Sequence, residues 1–293
     1  MENGEKPGFF RKPGKPGPPR AGFSHYLRIG RPVWPGENGL PRRHGRTNLK
    51  TLGLIGGMSW ESTLPYYRLA NEAVREALGG LHSARLVLYS VDFAEVERMQ
   101  REGRWDDAGR LLGDAGKALR AAGAEALVLC TNTMHKVAAD IEAISGLPLL
   151  HIADPTAAAI RAAGLARIGL LGTRFTMEGE FYRRRLEEKH GLEVLVPDDG
   201  DRELVHRVIY DELCRGRIED ASRAAYLAVI DRLAARGAQG IVLGCTEIGL
   251  LVSPADTALP LFDTTALHAR GAVAWALSGE PLECATRTPG TAP

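Results

Sequence analysis

No apolar run in these 293 residues approaches the roughly 18–20 that a membrane-spanning helix requires, and none forms the continuous hydrophobic stretch of a secretory signal. Charge of one sign is missing too. The net charge is +1, which argues against nucleic acid or an anionic membrane as the main partner. Cysteine is scarce: Cys130, Cys214, Cys245 and Cys284 show no paired spacing, so neither a disulfide framework nor a zinc motif is expected. Reduced thiols in a cytoplasmic protein are the expectation.

The balanced total conceals an asymmetry. Residues 1–50 hold eleven Lys/Arg against Glu2, Glu5 and Glu37, an excess of eight that leaves the remainder at −7. Eight of the 17 prolines also lie in this stretch, Pro16, Pro18 and Pro19 among them. Such a composition buries too little surface to offset the entropy of ordering it. Residues 1–47 therefore read as a disordered leader and residues 280–293 as a flexible tail.

From Leu49 onward short apolar runs alternate with amphipathic stretches. Leu52–Ile55, Leu86–Tyr89, Ala126–Leu129, Ile168–Leu171, Glu193–Val196 and Gly240–Leu243 read as buried strands, with Leu147–Ile152 and Leu259–Phe262 as shorter candidates. Helical patterns fall at Glu61–Leu78, Trp105–Ala122, His135–Ile144, Pro155–Ala163, Met177–His190, Glu203–Cys214, Ile218–Arg236 and Ala266–Leu277. Gly123, Gly164, Gly191, Gly216 and Gly237 stand just past helix ends. Strand–helix alternation implies parallel sheets with helices on both faces.

The chain also repeats itself. Leu52-Gly-Leu-Ile-Gly56 matches Ile168-Gly-Leu-Leu-Gly172 at a distance of 116 residues, and Gly123–Leu129 matches Gly237–Leu243 at 114. Two matches at nearly one offset predict two similar α/β lobes rather than one long sheet. Lobes of this kind hold ligands at the carboxyl ends of their strands. There the second match leads to Cys130-Thr131-Asn132-Thr133 in one half and Gly244-Cys245-Thr246-Glu247 in the other. Eight residues beyond each glycine lie Thr131 and Cys245, so these two are equivalent and Cys130 is one position early. Adjacent residues of an extended chain face opposite ways. Cys130 therefore reads as a packing residue if Thr131 faces the cleft.

A pair of groups, one per lobe, suits the inversion of an amino-acid stereocentre. That reaction removes an α-proton from one face and returns one to the other. A thiol, with a free pKa of about 8.5, needs only modest lowering to act as the base. Neighbouring hydroxyls, amide and backbone N–H groups can stabilise the enediolate-like charge.

The strings Leu52–Thr63 (Leu-Gly-Leu-Ile-Gly-Gly-Met58-Ser-Trp60-Glu-Ser-Thr), Thr131–His135 and Gly244–Ile248 together resemble the aspartate/glutamate racemase family. Within it the match is nearest to bacterial amino-acid racemases of aspartate/glutamate or broad specificity. The resemblance runs from about Leu49 to Gly279. It implies two α/β domains, independence of pyridoxal phosphate or any other cofactor, no metal, a small amino-acid substrate and a homodimer. It also implies Cys245 and Thr131 as the opposed acid–base pair, and substrate contacts from Met58, Gln100, Thr131, Asn132, Thr133, Thr246 and Glu247. The family usually places a second cysteine where Thr131 stands, and a threonine hydroxyl is a poor base that could still deliver a proton relayed by water. Cys245 is then expected to deprotonate one enantiomer efficiently, with slower return from the Thr131 side. The glutamate racemases of cell-wall synthesis usually carry His after the second Cys-Thr. Here Glu247 stands instead, a partner for a substrate ammonium group or for Cys245.

The remaining candidates are weaker. His135 reads as a helix-start histidine that could orient the Thr131 loop, and His151 and Asp154 as hydrogen-bonded loop residues. Asp92 reads as a helix N-cap. Arg98, Arg101, Lys136 and Arg202 are possible partners for a substrate side-chain carboxylate, though each is ordinarily a solvated charge. Arg183-Arg184-Arg185 reads as an exposed helix face. Gly56-Gly57-Met58 lacks the spacing of a nucleotide-binding loop, and no ligand spacing supports zinc between Cys130, His135 and Cys245.

The expected architecture is two doubly wound, Rossmann-like parallel-sheet lobes related by pseudo-symmetry, with the active site between them. One comprises residues 48–153 plus 265–279 and the other residues 154–264. The expected activity is interconversion of L- and D-amino acids, aspartate- or glutamate-like or broad enough to include homoserine. Alternatives are a related α-carbon enzyme (hydantoin racemase, maleate isomerase or arylmalonate decarboxylase type) or a non-catalytic amino-acid-binding relative.

Overall fold

A computed structural model of the chain describes residues 49–278. The leader, the tail and Cys284 lie outside them. Two four-stranded parallel sheets form, each built on the same plan. The first contains β1 (Leu52–Gly56), β2 (Leu86–Ser90), β3 (Ala126–Leu129) and β4 (Leu149–Leu150) in the order β2-β1-β3-β4. The second contains β5 (Arg167–Gly172), β6 (Glu193–Leu195), β7 (Ile241–Gly244) and β8 (Leu261–Asp263) in the order β6-β5-β7-β8. Identical strand orders are the structural form of the sequence repeat. The matched glycines Gly123 and Gly237 end equivalent helices at φ +92° and +94°, a conformation a Cβ would disfavour.

The helices of the first lobe are α1 (Trp60–Leu78), α2 (Phe93–Arg101), α3 (Trp105–Ala121) and α4 (Ala138–Ser145). The second has α5 (Ala153–Ala162), the short α6 (Arg174–Glu178) and α7 (Glu180–Arg184), α8 (Asp199–Asp211), α9 (Asp220–Ala235) and α10 (Ile248–Leu251). The last helix, α11 (Thr264–Ser278), returns to the first lobe. Its Ala269, Ala272, Val273 and Ala276 share a core with Leu52, Leu54, Tyr66 and Val74. The sequence reading placed no helix at α2, although its buried Val96, Met99 and Gln100 recur on one face. Its start was legible: the Asp92 side chain accepts a hydrogen bond from the Ala94 N–H at 3.0 Å, the expected cap. The single pattern expected over Met177–His190 is instead broken into α6, α7 and a π-wound turn (Arg185–Lys189), with Gly179 extended between the first two.

Both faces of each sheet are covered, and the two-residue period of the strands decides which residue meets which layer. On β3, Leu127 and Leu129 pack with α3 and α4 residues such as Leu112 and Ile141. Val128 and Cys130 point the other way, to α1 and α11. On β7, Ile241, Leu243 and Cys245 share the layer of Val205, Ile209 and Tyr226 from α8 and α9, while Val242 faces the layer of Ile160 and Tyr182. Cys245 therefore has the parity of Thr131, not of Cys130.

Strands β5 and β7 meet glycine to glycine just before the Cys245 loop, with Gly172 in register with Gly244. A Cβ on Gly172 would lie 2.8 Å from the Gly244 carbonyl oxygen, and one on Gly244 2.8 Å from the Leu171 carbonyl oxygen. Gly172→Val is accordingly expected to destabilise the fold by about 1–3 kcal/mol, because backbone rather than a flexible side chain must yield. A lowered denaturant midpoint with an unchanged circular dichroism spectrum would bear this out; an unchanged midpoint would contradict it.

Candidate active site

The carboxyl ends of the two sheets converge on a buried cavity. Met58, Gln100, Thr131, Asn132, Thr133, Cys245 and Glu247 line it, as do Phe93, Thr173, Ile209, Tyr210, Cys214 and Gly244. Seven of the eight residues expected from the sequence thus meet in one place. Thr246 is absent from the lining but donates to Glu247 Oε2 at 2.9 Å.

Thr131 stands two residues past the end of β3, 8 % exposed, and its hydroxyl has no hydrogen-bond partner among the described residues. Cys130, one residue earlier, is fully buried, with its Sγ 3.7 Å from the Val128 carbonyl oxygen. Burial pushes its thiol far above the ordinary cysteine range. Asn132 comes next, and its orientation is fixed by its neighbour. The Thr264 hydroxyl donates to the Leu243 carbonyl at 2.8 Å, so it can only accept from Asn132 Nδ2, at 3.0 Å. Asn132 Oδ1 is left buried without a partner in the cavity wall. Thr133 Oγ crosses to the second lobe, 3.0 Å from Thr173 Oγ and 3.3 Å from Thr176 Oγ.

Glu247 organises the opposite wall. Its Oε1 accepts from the Ser59 hydroxyl at 2.8 Å and the Ser59 N–H at 3.3 Å. Its Oε2 accepts from Cys245 Sγ and Thr246 Oγ, each at 2.9 Å. Four donors converge on a side chain that is 1 % exposed, the acceptor-only pattern of an ionised carboxylate, and no lysine or arginine joins them among the described residues. Burial, and next the Glu247 carboxylate, raise the Cys245 thiol well above its usual range. The expectation that this sulfur needs only modest lowering is corrected: Cys245 is held as a thiol donating to Glu247.

Sequence reasoning missed Ser59, Phe93, Thr173, Ile209, Tyr210 and Cys214. Tyr210 closes the cavity from α8, donating to Gln100 Oε1 at 2.9 Å and stacking on Phe93 at 6.3 Å between ring centroids. One signal was available, since His206, Tyr210 and Cys214 recur at four-residue spacing on one helical face. Their meeting with Gln100 depends on how the lobes dock. None of the four candidate cations lines the cavity. Arg202 binds Glu178, Asp199 and the Pro197 carbonyl, Arg101 pairs with Glu97, and Lys136 lies over the Trp105 ring. The Arg183–Arg185 run is not uniformly exposed either. Arg185 turns inward and holds Asp154 with two bonds of 2.7 Å. Among the described residues no group of histidines, cysteines and carboxylates is arranged to hold a metal.

The Asp/Glu/Hydantoin racemase family model matches residues 55–272. Among solved structures, the chain resembles a putative Asp/Glu racemase from Yersinia pestis at 62 % identity and a TM-score of 0.72, covering 78 % of this chain and 99 % of that one. It also resembles an aspartate racemase homologue from Pyrococcus horikoshii at 35 % identity and a TM-score of 0.66, with the same coverage. A glutamate racemase from Thermus thermophilus is 28 % identical over 225 residues, 71 % of this chain and 76 % of that protein.

Behind the cavity, two buried histidines are held neutral. His268 donates from Nε2 to the Leu150 carbonyl at 2.7 Å and accepts at Nδ1 from Tyr66 at 2.9 Å. His135 contacts the Thr131 carbonyl through Nδ1 and the Ile152 N–H through Nε2. Burial lowers their pKa values to about 4 and about 3 respectively. Because both folded values lie below the unfolded value of about 6.5, their contribution is complete above that pH and is lost as pH falls below it. Roughly 2 kcal/mol per histidine should disappear between pH 7 and pH 5. Urea denaturation at the two pH values measures this, and equal stabilities would contradict it.

Proposed function

The chain belongs to the Asp/Glu/Hydantoin racemase family, whose aspartate and glutamate racemases are isomerases, and from that membership we propose that it racemises amino acids with Cys245 and Thr131 as the opposed acid–base groups. The observation that carries this reading is that these two residues, at equivalent positions after β3 and β7, line one cavity. The unpaired Asn132 Oδ1 supplies an acceptor and the Glu247 carboxylate a negative charge, which together complement an α-ammonium group. The threonine hydroxyls of the lining are donors for an α-carboxylate.

The chemistry follows from the resting thiol. A substrate ammonium beside Glu247 offsets the negative charge that holds the Cys245 proton in place. Cys245 then loses its S–H proton to solvent, and the thiolate, left beside the ammonium, removes the α-proton from one face. On the other face the Thr131 hydroxyl delivers its proton to the α-carbon while taking one from water. The hydroxide that this leaves is neutralised by the proton that Cys245 gave to solvent. No cofactor takes part in these steps. A free thiol is essential to them, which fits a reducing, cytoplasmic setting. Among the described residues the lining carries no lysine or arginine, and this favours broad specificity with uncharged side chains such as that of homoserine over dicarboxylates.

Incubation with L-homoserine, L-aspartate and L-glutamate in deuterated water, followed by NMR and chiral chromatography, tests the reading. Wild-type protein should exchange and invert the α-centre, homoserine fastest. Cys245→Ala should lower racemisation by about 10²–10⁴-fold, while Cys130→Ala should stay within about twofold. Saturable binding without exchange, or full activity in Cys245→Ala, would overturn the reading.

A further inference from the structure

The Thr131 hydroxyl can serve the α-carbon only if its backbone is held, because nothing among the described residues bonds the hydroxyl itself. Two contacts fix that backbone. The Thr131 N–H donates to the Leu129 carbonyl at 2.8 Å. On the other side the Thr131 carbonyl meets His135 Nδ1, also at 2.8 Å. The Ile152 N–H points at His135 Nε2 from 3.2 Å and has only its proton to offer, so Nε2 accepts. Nδ1 therefore carries the hydrogen and donates to Thr131. One neutral tautomer satisfies both contacts, and the ring is sealed at 3 % exposure against His151, with 4.4 Å between centroids. Ile152 immediately precedes α5, where the chain passes from the first lobe into the second. The ring thus ties the Thr131 turn to the segment that joins the lobes.

We infer that His135 is a positioning residue for Thr131, setting its hydroxyl for proton delivery by a hydrogen bond to its carbonyl. The inference rests on the assignment of Thr131 as one of the two acid–base groups. Misplacing a reacting group by about 1 Å can cost on the order of 10²-fold in rate, and the loss falls on the Thr131 face alone. Cys245 would still remove the α-proton of its own enantiomer, exchange the resulting S–H with solvent deuterium and return deuterium to the same face. Exchange without inversion is the signature.

Two substitutions separate the ring's contacts. The amide nitrogen of His135→Asn occupies the place of Nδ1 and keeps the bond to Thr131. The amide of His135→Gln reaches the place of Nε2 and gives that bond up. In deuterated water, His135→Gln should lower racemisation about 10–100-fold in both directions equally, since the enantiomers have equal free energy. Deuterium exchange of one enantiomer should stay within about threefold of wild type. His135→Asn should restore most of the racemisation. A parallel fall in exchange and inversion, equal behaviour of the two variants, or a wild-type rate in His135→Gln would overturn the inference. Thr131→Ala separates the two levels of the argument. If it racemises normally, the assignment of Thr131 itself fails. If it shows exchange without inversion and His135→Gln does not, only the role of His135 fails. Should His135→Gln not fold, the ring tautomer of the wild-type protein decides by ¹⁵N NMR. A hydrogen on Nδ1 is expected, and one on Nε2 would overturn the inference.

Discussion

A carboxylate buried between two lobes, surrounded only by donors, is the interaction on which the site depends. Glu247 draws Ser59 from the first lobe and Cys245 and Thr246 from the second onto its two oxygens. An ionised group at this depth is costly unless every lone pair is satisfied. Among these bonds, those from Ser59 tie the first lobe to the second, and that from Cys245 holds the thiol proton. One side chain therefore joins a contact between the lobes to the hydrogen bond of the sulfur.

The two walls are unequal although they descend from one repeat. Thr131 and Cys245 share strand parity and position, but their surroundings differ in kind. The sulfur is bound to a carboxylate two residues later, whereas the threonine hydroxyl is unbonded and its backbone is anchored by a neutral histidine. A thiol beside an anion is a group whose proton can be moved by charge. A hydroxyl is not, so on that wall geometry has to supply what acidity does not. The asymmetry of side chains is matched by an asymmetry in how each is supported.

Much of this was legible in the chain because strand periodicity is a local rule. Leu127, Leu129 and Thr131 against Val128 and Cys130 can be sorted by counting in twos, and the layers they join follow that count. The duplicated glycine-bounded strings carried the equivalence of Thr131 and Cys245 for the same reason. Helix α2 was missed although its cap, Asp92, stood out, because the polar Gln100 completes the buried face that Val96 and Met99 begin. The break at Gly179 also escaped, because an amphipathic pattern runs on through a change of helix type.

The sequence alone determined the two-lobed parallel architecture, the parity that separates Cys130 from Thr131, and the strings that converge on the cavity. Each depends on residues close in the chain. Tertiary structure decided what local order cannot encode. Gln100 meets Tyr210 across 110 residues and Ser59 meets Glu247 across 188. Packing also turned Arg185 inward to Asp154. The acidity of Cys245 belongs with these, because a thiol's proton affinity is set by burial and by the nearest charge. The charge, Glu247, lies only two residues on, but the burial comes from the packing of α8 and α9 over β7.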